Sequence, residues 1–178
     1  MRRQMLLLLL VAVAVFAAGC ADILMQTTMD GEGNVASFAI EVLTDERTLA
    51  GIISEEMYDM YAEDFAGEER AYIYFESFRS EAPFGAKITI DVAEARRMER
   101  TEEALAVVGF IVDHGMDAGG EYVSYYIPPD ETYEEAEFED LIFVTFTTAS
   151  PASERDHTRV FSFPDVSRYG VDFTARLP

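Results

Sequence analysis

Residues 21–43, ADILMQTTMDGEGNVASFAIEVL, decide the fold. Ile23, Met25 and Met29 recur on one face of an extended chain, and Ala36, Phe38, Ile40 and Val42 recur on one face of another. A period of two over this length is the signature of a half-buried strand. Between the two runs lies Asp30-Gly31-Glu32-Gly33-Asn34, rich in residues that tolerate tight turns. The stretch therefore predicts a β-hairpin, with strands over Ala21–Met29 and Val35–Leu43.

The period changes immediately downstream. Leu49, Ile52, Ile53, Met57, Met60, Tyr61 and Phe65 fall at steps of three and four, which predicts an amphipathic helix over Thr44–Phe65. Thr44 or Asp45 suits its cap, Asp45 and Glu46 suit the positive end of its dipole, and Gly67 suits its stop. The remaining chain alternates again. Strands are expected over Arg70–Phe78, Ala86–Val92, Leu105–Val112, Tyr122–Ile127, Leu141–Thr148, Arg159–Phe163 and Val171–Leu177. Leu105–Val112 is apolar on both faces, so a buried helix is the competing reading there. Ala93–Ala104 is charged and helix-favouring, a short surface helix or structured connection, and Gly115–Gly120 reads as a turn. The sum, roughly eight or nine strands and one principal helix, is an α+β domain. Its sheet should be largely antiparallel, with the helix packed on one face.

Upstream of the hairpin lies MRRQMLLLLLVAVAVFAAGC. Arg2 and Arg3 precede an apolar run from Met5 to Ala18, and small residues lead to Cys20. That order reads as a signal peptide over residues 1–19. The run of fourteen is short for a helix that must cross ~30 Å of hydrocarbon, which takes about 20 residues. A retained transmembrane anchor is the alternative. Ala-Ala-Gly-Cys after an apolar run looks like a prokaryotic lipobox, although Ala17 stands where Leu is commoner. That resemblance implies that Cys20 is the mature N-terminus and carries a diacylglyceryl thioether. Two acyl tails anchor firmly where one gives marginal binding. The two arginines also permit twin-arginine export.

Cys20 is the only cysteine, so no intrachain disulfide, Cys-based metal site or thiol nucleophile exists in the domain. Removing residues 1–19 from 178 leaves 159, enough for a single domain over residues 20–178. The chain carries a formal charge of −21, and the leader holds two arginines and no acid, so the mature part is near −23. A broad basic face for nucleic acid is excluded by that balance. Yet 49% of residues are hydrophobic, too many for a disordered acidic chain. Lys87 is the sole lysine beside twelve arginines. High acid with scarce lysine resembles the proteins of salt-loving archaea, in which salt screens carboxylate repulsion. A generic acidic protein from a GC-rich genome is the plainer alternative.

No constellation announces catalysis, and neither a catalytic residue nor a cofactor or metal ligand is assigned. Asp30, Glu32, Asn34 and Glu41 mimic calcium-loop spacing, but Val35 stands where that loop needs glycine, so a β-turn is favoured. His114 and His157 are the only histidines, and their spacing supports no zinc site. Ser153 and Ser167 lack a nucleophile motif. The run Asp130–Asp140 holds seven acids and reads as a solvated loop; cation or basic-partner binding is its alternative. Tyr122, Tyr125 and Tyr126 either line a binding face or cover a sheet.

A leader ending in Gly19-Cys20, an immediate strand, the turn Asp30–Asn34, a second strand and a helix together resemble a group of prokaryotic membrane lipoproteins. These are the mycobacterial LppM-like domain and similar uncharacterised archaeal lipoproteins, with the resemblance covering roughly residues 15–65. It implies an α+β lipoprotein domain with no enzymatic residues to carry over. The chain ends at Pro178 without the second apolar segment of the mycobacterial form, which leaves Cys20 as the expected anchor. The expected function is a non-enzymatic binding or structural domain, held by lipid on the outer face of the cell membrane, with its protein or small-ligand partner open. The alternative is a carboxylate- or metal-dependent surface hydrolase. A two-lobed solute carrier is disfavoured by length.

Overall fold

The computed structural model describes residues 21–130 and 142–177. The leader with Cys20, and the acidic run after Asp130, lie outside the described residues. The hairpin forms as its alternation dictates: β1 (Ala21–Met29) pairs antiparallel with β2 (Val35–Thr44), from Ala21 opposite Thr44 to Met29 opposite Val35. Helix α1 (Arg47–Asp64) follows, three residues later than the expected start. Glu46 occupies its cap without a side-chain bond, while Thr44 Oγ1 accepts from the Glu46 amide at 3.2 Å. The helix ends at Asp64, and Gly67, with φ +60°, opens a 3-10 turn over Gly67–Ala71 rather than stopping α1. That turn takes the start of the segment expected to be extended from Arg70, so β3 is Ile73–Phe78.

β4 (Phe84–Asp91) hands directly to α2 (Val92–Arg97), whose cap is Asp91: its Oδ1 accepts from Glu94 N at 2.8 Å. Glu99, at φ +60°, separates α2 from α3 (Thr101–Val108). The strand expected over Leu105–Val112 is corrected here. Helix α3 runs through Val108, Gly109 caps it at φ +69°, and β5 (Ile111–Asp117) begins beyond it. The segment is apolar on both faces because Val107 and Val108 are buried on a helix and Phe110 turns into the core. The expected turn at Gly115–Gly120 shrinks to Ala118-Gly119, where Asp117 Oδ1 accepts from Gly119 N at 2.7 Å before β6 (Gly120–Ile127).

After β7 (Phe143–Ala149) and β8 (His157–Ser162) comes a helix absent from the expectation, α4 (Phe163–Tyr169), before β9 (Val171–Leu177). Its signals are local. Ser162 Oγ accepts from Asp165 N at 3.2 Å, and Pro164 sits in the first turn, where a missing N–H costs nothing.

The nine strands of the described residues form two sheets rather than one: a six-stranded sheet ordered β3-β4-β2-β1-β7-β8 and a three-stranded sheet ordered β5-β6-β9. All pairs are antiparallel except β1 with β7. The α+β class with a largely antiparallel sheet and a helix on one face holds. Register decides which face. Phe75, Ile88, Ile40, Met25 and Phe146 stand in one cross-strand row, and Phe38 lies two residues along the same face. Tyr58 of α1 meets Phe75 at 5.4 Å between centroids, and Phe110 meets Phe38 at 5.0 Å. Helix α1 and the smaller sheet therefore lie side by side on one face of the large sheet, with the core between. The opposite face carries half-buried and exposed residues such as Leu24, Gln26, Glu41, Lys87, Thr145 and Val160.

Candidate functional site

Strand β3 is an edge of the large sheet, and α1 runs over its inner face. Between them lies an open groove of about 730 Å³. The helix supplies Ile52, Glu55, Tyr58 and Asp59; the strand supplies Phe75 and Ser77; Arg79 closes one end. The helical period makes this wall. Leu49, Ile53 and Met57 point to the core and are buried, so their neighbours at Ile52, Glu55 and Tyr58 flank the stripe. Ile52 is 45% exposed and Tyr58 52%, so the helix presents apolar surface to the groove.

The backbone of β3 completes the groove. Asp91 N donates to Tyr72 O at 2.7 Å, which points Tyr72 toward β4. Strand backbones alternate, so Tyr74 and Glu76 also face β4, while Ile73, Phe75 and Ser77 direct N–H and C=O away from the sheet. The Tyr61 hydroxyl donates to Ile73 O at 3.3 Å and closes that position. Among the described residues, the amides and carbonyls of Phe75 and Ser77 are directed outward from the sheet edge, beside the groove that these two residues line.

The residues singled out from sequence go elsewhere. Asp30 is the hub of a turn. Its Oδ1 accepts from Glu32 N at 2.9 Å and Asn34 N at 3.1 Å, and its Oδ2 accepts from Asn34 Nδ2 at 2.9 Å and Arg96 Nη1 at 3.2 Å. Partial burial pushes its pKa up, but the bonds from Asn34, Glu32 and Arg96 win and hold the carboxyl at about 2. Glu41, the twelfth position of the calcium spacing, stands mid-strand between Leu24 and Lys87, away from the turn. His114 donates from Nδ1 to Gly33 O at 3.1 Å, and His157 stacks on Phe173 at 6.2 Å, so the two histidines serve different parts of the fold. Among the described residues no group of three or more His, Cys, Asp or Glu could hold a metal ion.

The three tyrosines do not share a face. Tyr125 is buried, and that desolvation raises its pKa against the opposing pull of two hydroxyl contacts, Thr27 Oγ1 and Thr148 Oγ1, each 2.7 Å from its own hydroxyl. Tyr126 is exposed, and Tyr122 lies under the Arg176 guanidinium at 5.5 Å. Ser167 is buried on α4, and Ser153 Oγ donates to Arg155 O at 2.9 Å.

Sequence reasoning missed the groove. Ile52 was legible as an apolar position of α1 and Tyr58 was not singled out; the exposure of both depends on how the helix sits over the sheet edge. Glu121, buried at 2% exposure, was missed as well. It is one of 34 acids, and nothing local distinguishes it.

No protein-family model matches the chain, and no curated protein matches it. Among solved structures, the NMR structure of the folded domain of Mycobacterium tuberculosis LppM is similar. The likeness covers 88% of this chain and 87% of that one, with 11% sequence identity and a TM-score of 0.43. At that level it carries no conclusion about function.

Proposed function

We propose that this protein is a lipid-anchored extracytoplasmic domain with a binding or structural role in the cell envelope, attached through Cys20. One observation carries the reading: the sole cysteine follows an apolar run and small residues, where a diacylglyceryl group would be added. The position of the first strand supports it. Ala21 already pairs with Thr44 and is 2% exposed, so the fold starts one residue after Cys20. A lipid there would hold the sheet end containing Asp22, Leu43, Gly85 and Phe78 close to the bilayer. No helix among the described residues is long and apolar enough to cross a membrane.

Mass spectrometry of the mature N-terminus tests the anchor. The expected result is loss of residues 1–19 and a diacylglyceryl mass on Cys20. An unmodified peptide running through Gly19-Cys20 would overturn it. Cys20→Ser should in addition move the protein from the membrane fraction to the medium or to the uncleaved precursor.

A further inference from the structure

We infer that the groove between α1 and the β3 edge binds an extended segment of a partner protein, which adds to the large sheet as a seventh strand and places a basic side chain against Glu55 and Asp59. The inference rests on reading the domain as a binding module and is independent of the lipid on Cys20.

Edge strands offer unpaired amides and carbonyls to any chain that can lie alongside, and natural proteins close such edges unless they use them. Among the described residues the edge is closed at one end by the Tyr61 hydroxyl on Ile73 O, and no neighbouring strand pairs with it at Phe75 and Ser77. Backbone hydrogen bonds to such an edge give affinity without demanding a particular sequence, and alternate side chains then read the adjoining walls. Those walls have a definite chemistry. Ile52, Tyr58 and Phe75 supply apolar surface, and Tyr58 already packs edge-on against Phe75. Glu55 and Asp59, one helical turn apart, project acidic groups over the same channel. Arg79 at the far end is the single cation of the lining. The complementary ligand is an extended chain whose helix-facing side chains are apolar and basic.

The groove also lies at the sheet end where Ala21 begins. Phe78, Gly85, Leu43 and Asp22 share one cross-strand row, so β3 is three strand spacings from β1, roughly 14 Å.

The test is a fluorescence titration of the full chain in mild detergent. The probe is a labelled ten-residue peptide alternating valine and arginine. Salt is kept near 0.5 M, where the screening length is about 4 Å and diffuse attraction to the acidic surface is suppressed. Binding is expected, with a loss of about tenfold or more when alternate backbone amides of the peptide are N-methylated. A peptide with glutamate in place of arginine should bind more weakly by a similar factor. Ser77→Pro removes an outward N–H at an edge position where proline is tolerated. It should abolish binding while leaving the unfolding midpoint near that of the parent chain. Should that variant misfold, the pair Glu55→Arg/Asp59→Arg should reverse the preference to the glutamate peptide. The pair Glu102→Arg/Glu154→Arg, both exposed and away from the groove, should leave the preference unchanged.

Absence of binding, indifference to N-methylation, or equal effects of the two charge-reversal pairs would overturn the inference. Such a failure would leave the anchor standing, because the mass of the mature N-terminus is read separately. An unlipidated N-terminus would in turn remove the anchor without touching the groove.

Discussion

Glu121 Oε1 accepts a hydrogen bond from Gly33 N at 3.1 Å, joining residues 88 positions apart. The same oxygen accepts from Gly31 N at 2.9 Å, so one buried carboxylate of β6 holds the β1–β2 turn against the smaller sheet. Gly33 is at φ +89°, and a Cβ there would stand 2.6 Å from the Gly115 carbonyl carbon. Glu121→Ala leaves two turn amides without their acceptor and should cost about 2–3 kcal/mol in urea unfolding. Glu121→Gln keeps a carbonyl oxygen for them and should cost about 1 kcal/mol. Gly33→Ala should cost at least as much as Glu121→Ala, since it adds both left-handed strain and a backbone clash. Equal stability of the alanine variant and the parent would refute the role of Glu121.

Tyr125 is the second long-range tie. Its ring lies within 5.4 Å of Phe146 and 5.0 Å of Phe173, and its hydroxyl meets Thr27 and Thr148, one from each strand of the parallel pair. Tyr125→Phe keeps the ring and strands two buried threonine hydroxyls. The expected loss is about 1–3 kcal/mol, read by chemical denaturation. Tyr126→Phe, at an exposed position of the same strand, should be nearly silent.

Acid should release the turn through Asp30. Its folded pKa, about 2, lies below the ordinary aspartate value of 3.8. The carboxylate's contribution is therefore complete above pH 4 and lost as pH falls toward 2. A shift of that size corresponds to roughly 2.5 kcal/mol, and partial solvent exposure reduces it to about 1 kcal/mol. Unfolding curves of the parent and Asp30→Asn should differ by that amount at pH 6 and converge near pH 2. A gap that stays constant with pH would refute the assignment.

The charge of −21 is spread over exposed carboxylates such as Glu55, Asp59, Glu63, Asp64 and Glu102. If the acidic surface is a salt adaptation, raising sodium chloride from about 10 mM to 1 M cuts the screening length from about 30 Å to 3 Å and should raise the melting temperature steadily. Circular dichroism at low salt should show reversible loss of structure, restored by adding salt. Indifference to salt would favour a generic acidic protein.

Much of the local structure was legible. The hairpin over residues 21–43 formed nearly residue for residue, because alternation and a Gly-rich turn act within a few positions. Helix α1 differed only at its ends, where Glu46 rather than Thr44 or Asp45 took the cap. Helix α4 was readable from Ser162, Pro164 and Asp165, and was overlooked because its short apolar content merged with the neighbouring strands. At Leu105–Val108 all four residues are apolar although Leu105 is half-buried and Ala106 exposed, so composition hid the period that separates helix from strand.

By itself the sequence determined what short-range physics controls: alternation, helical period, turns, caps, charge, and a lone cysteine one residue before the first strand. Tertiary structure alone decided that the strands divide into two sheets, that β1 lies parallel to β7, and that β3 is left at an edge beneath α1. It also decided that Glu121, one acid among 34, meets Gly31 and Gly33. Each of these outcomes depends on which distant surfaces bury one another. Packing between residues some 90 positions apart leaves no periodic trace along the chain.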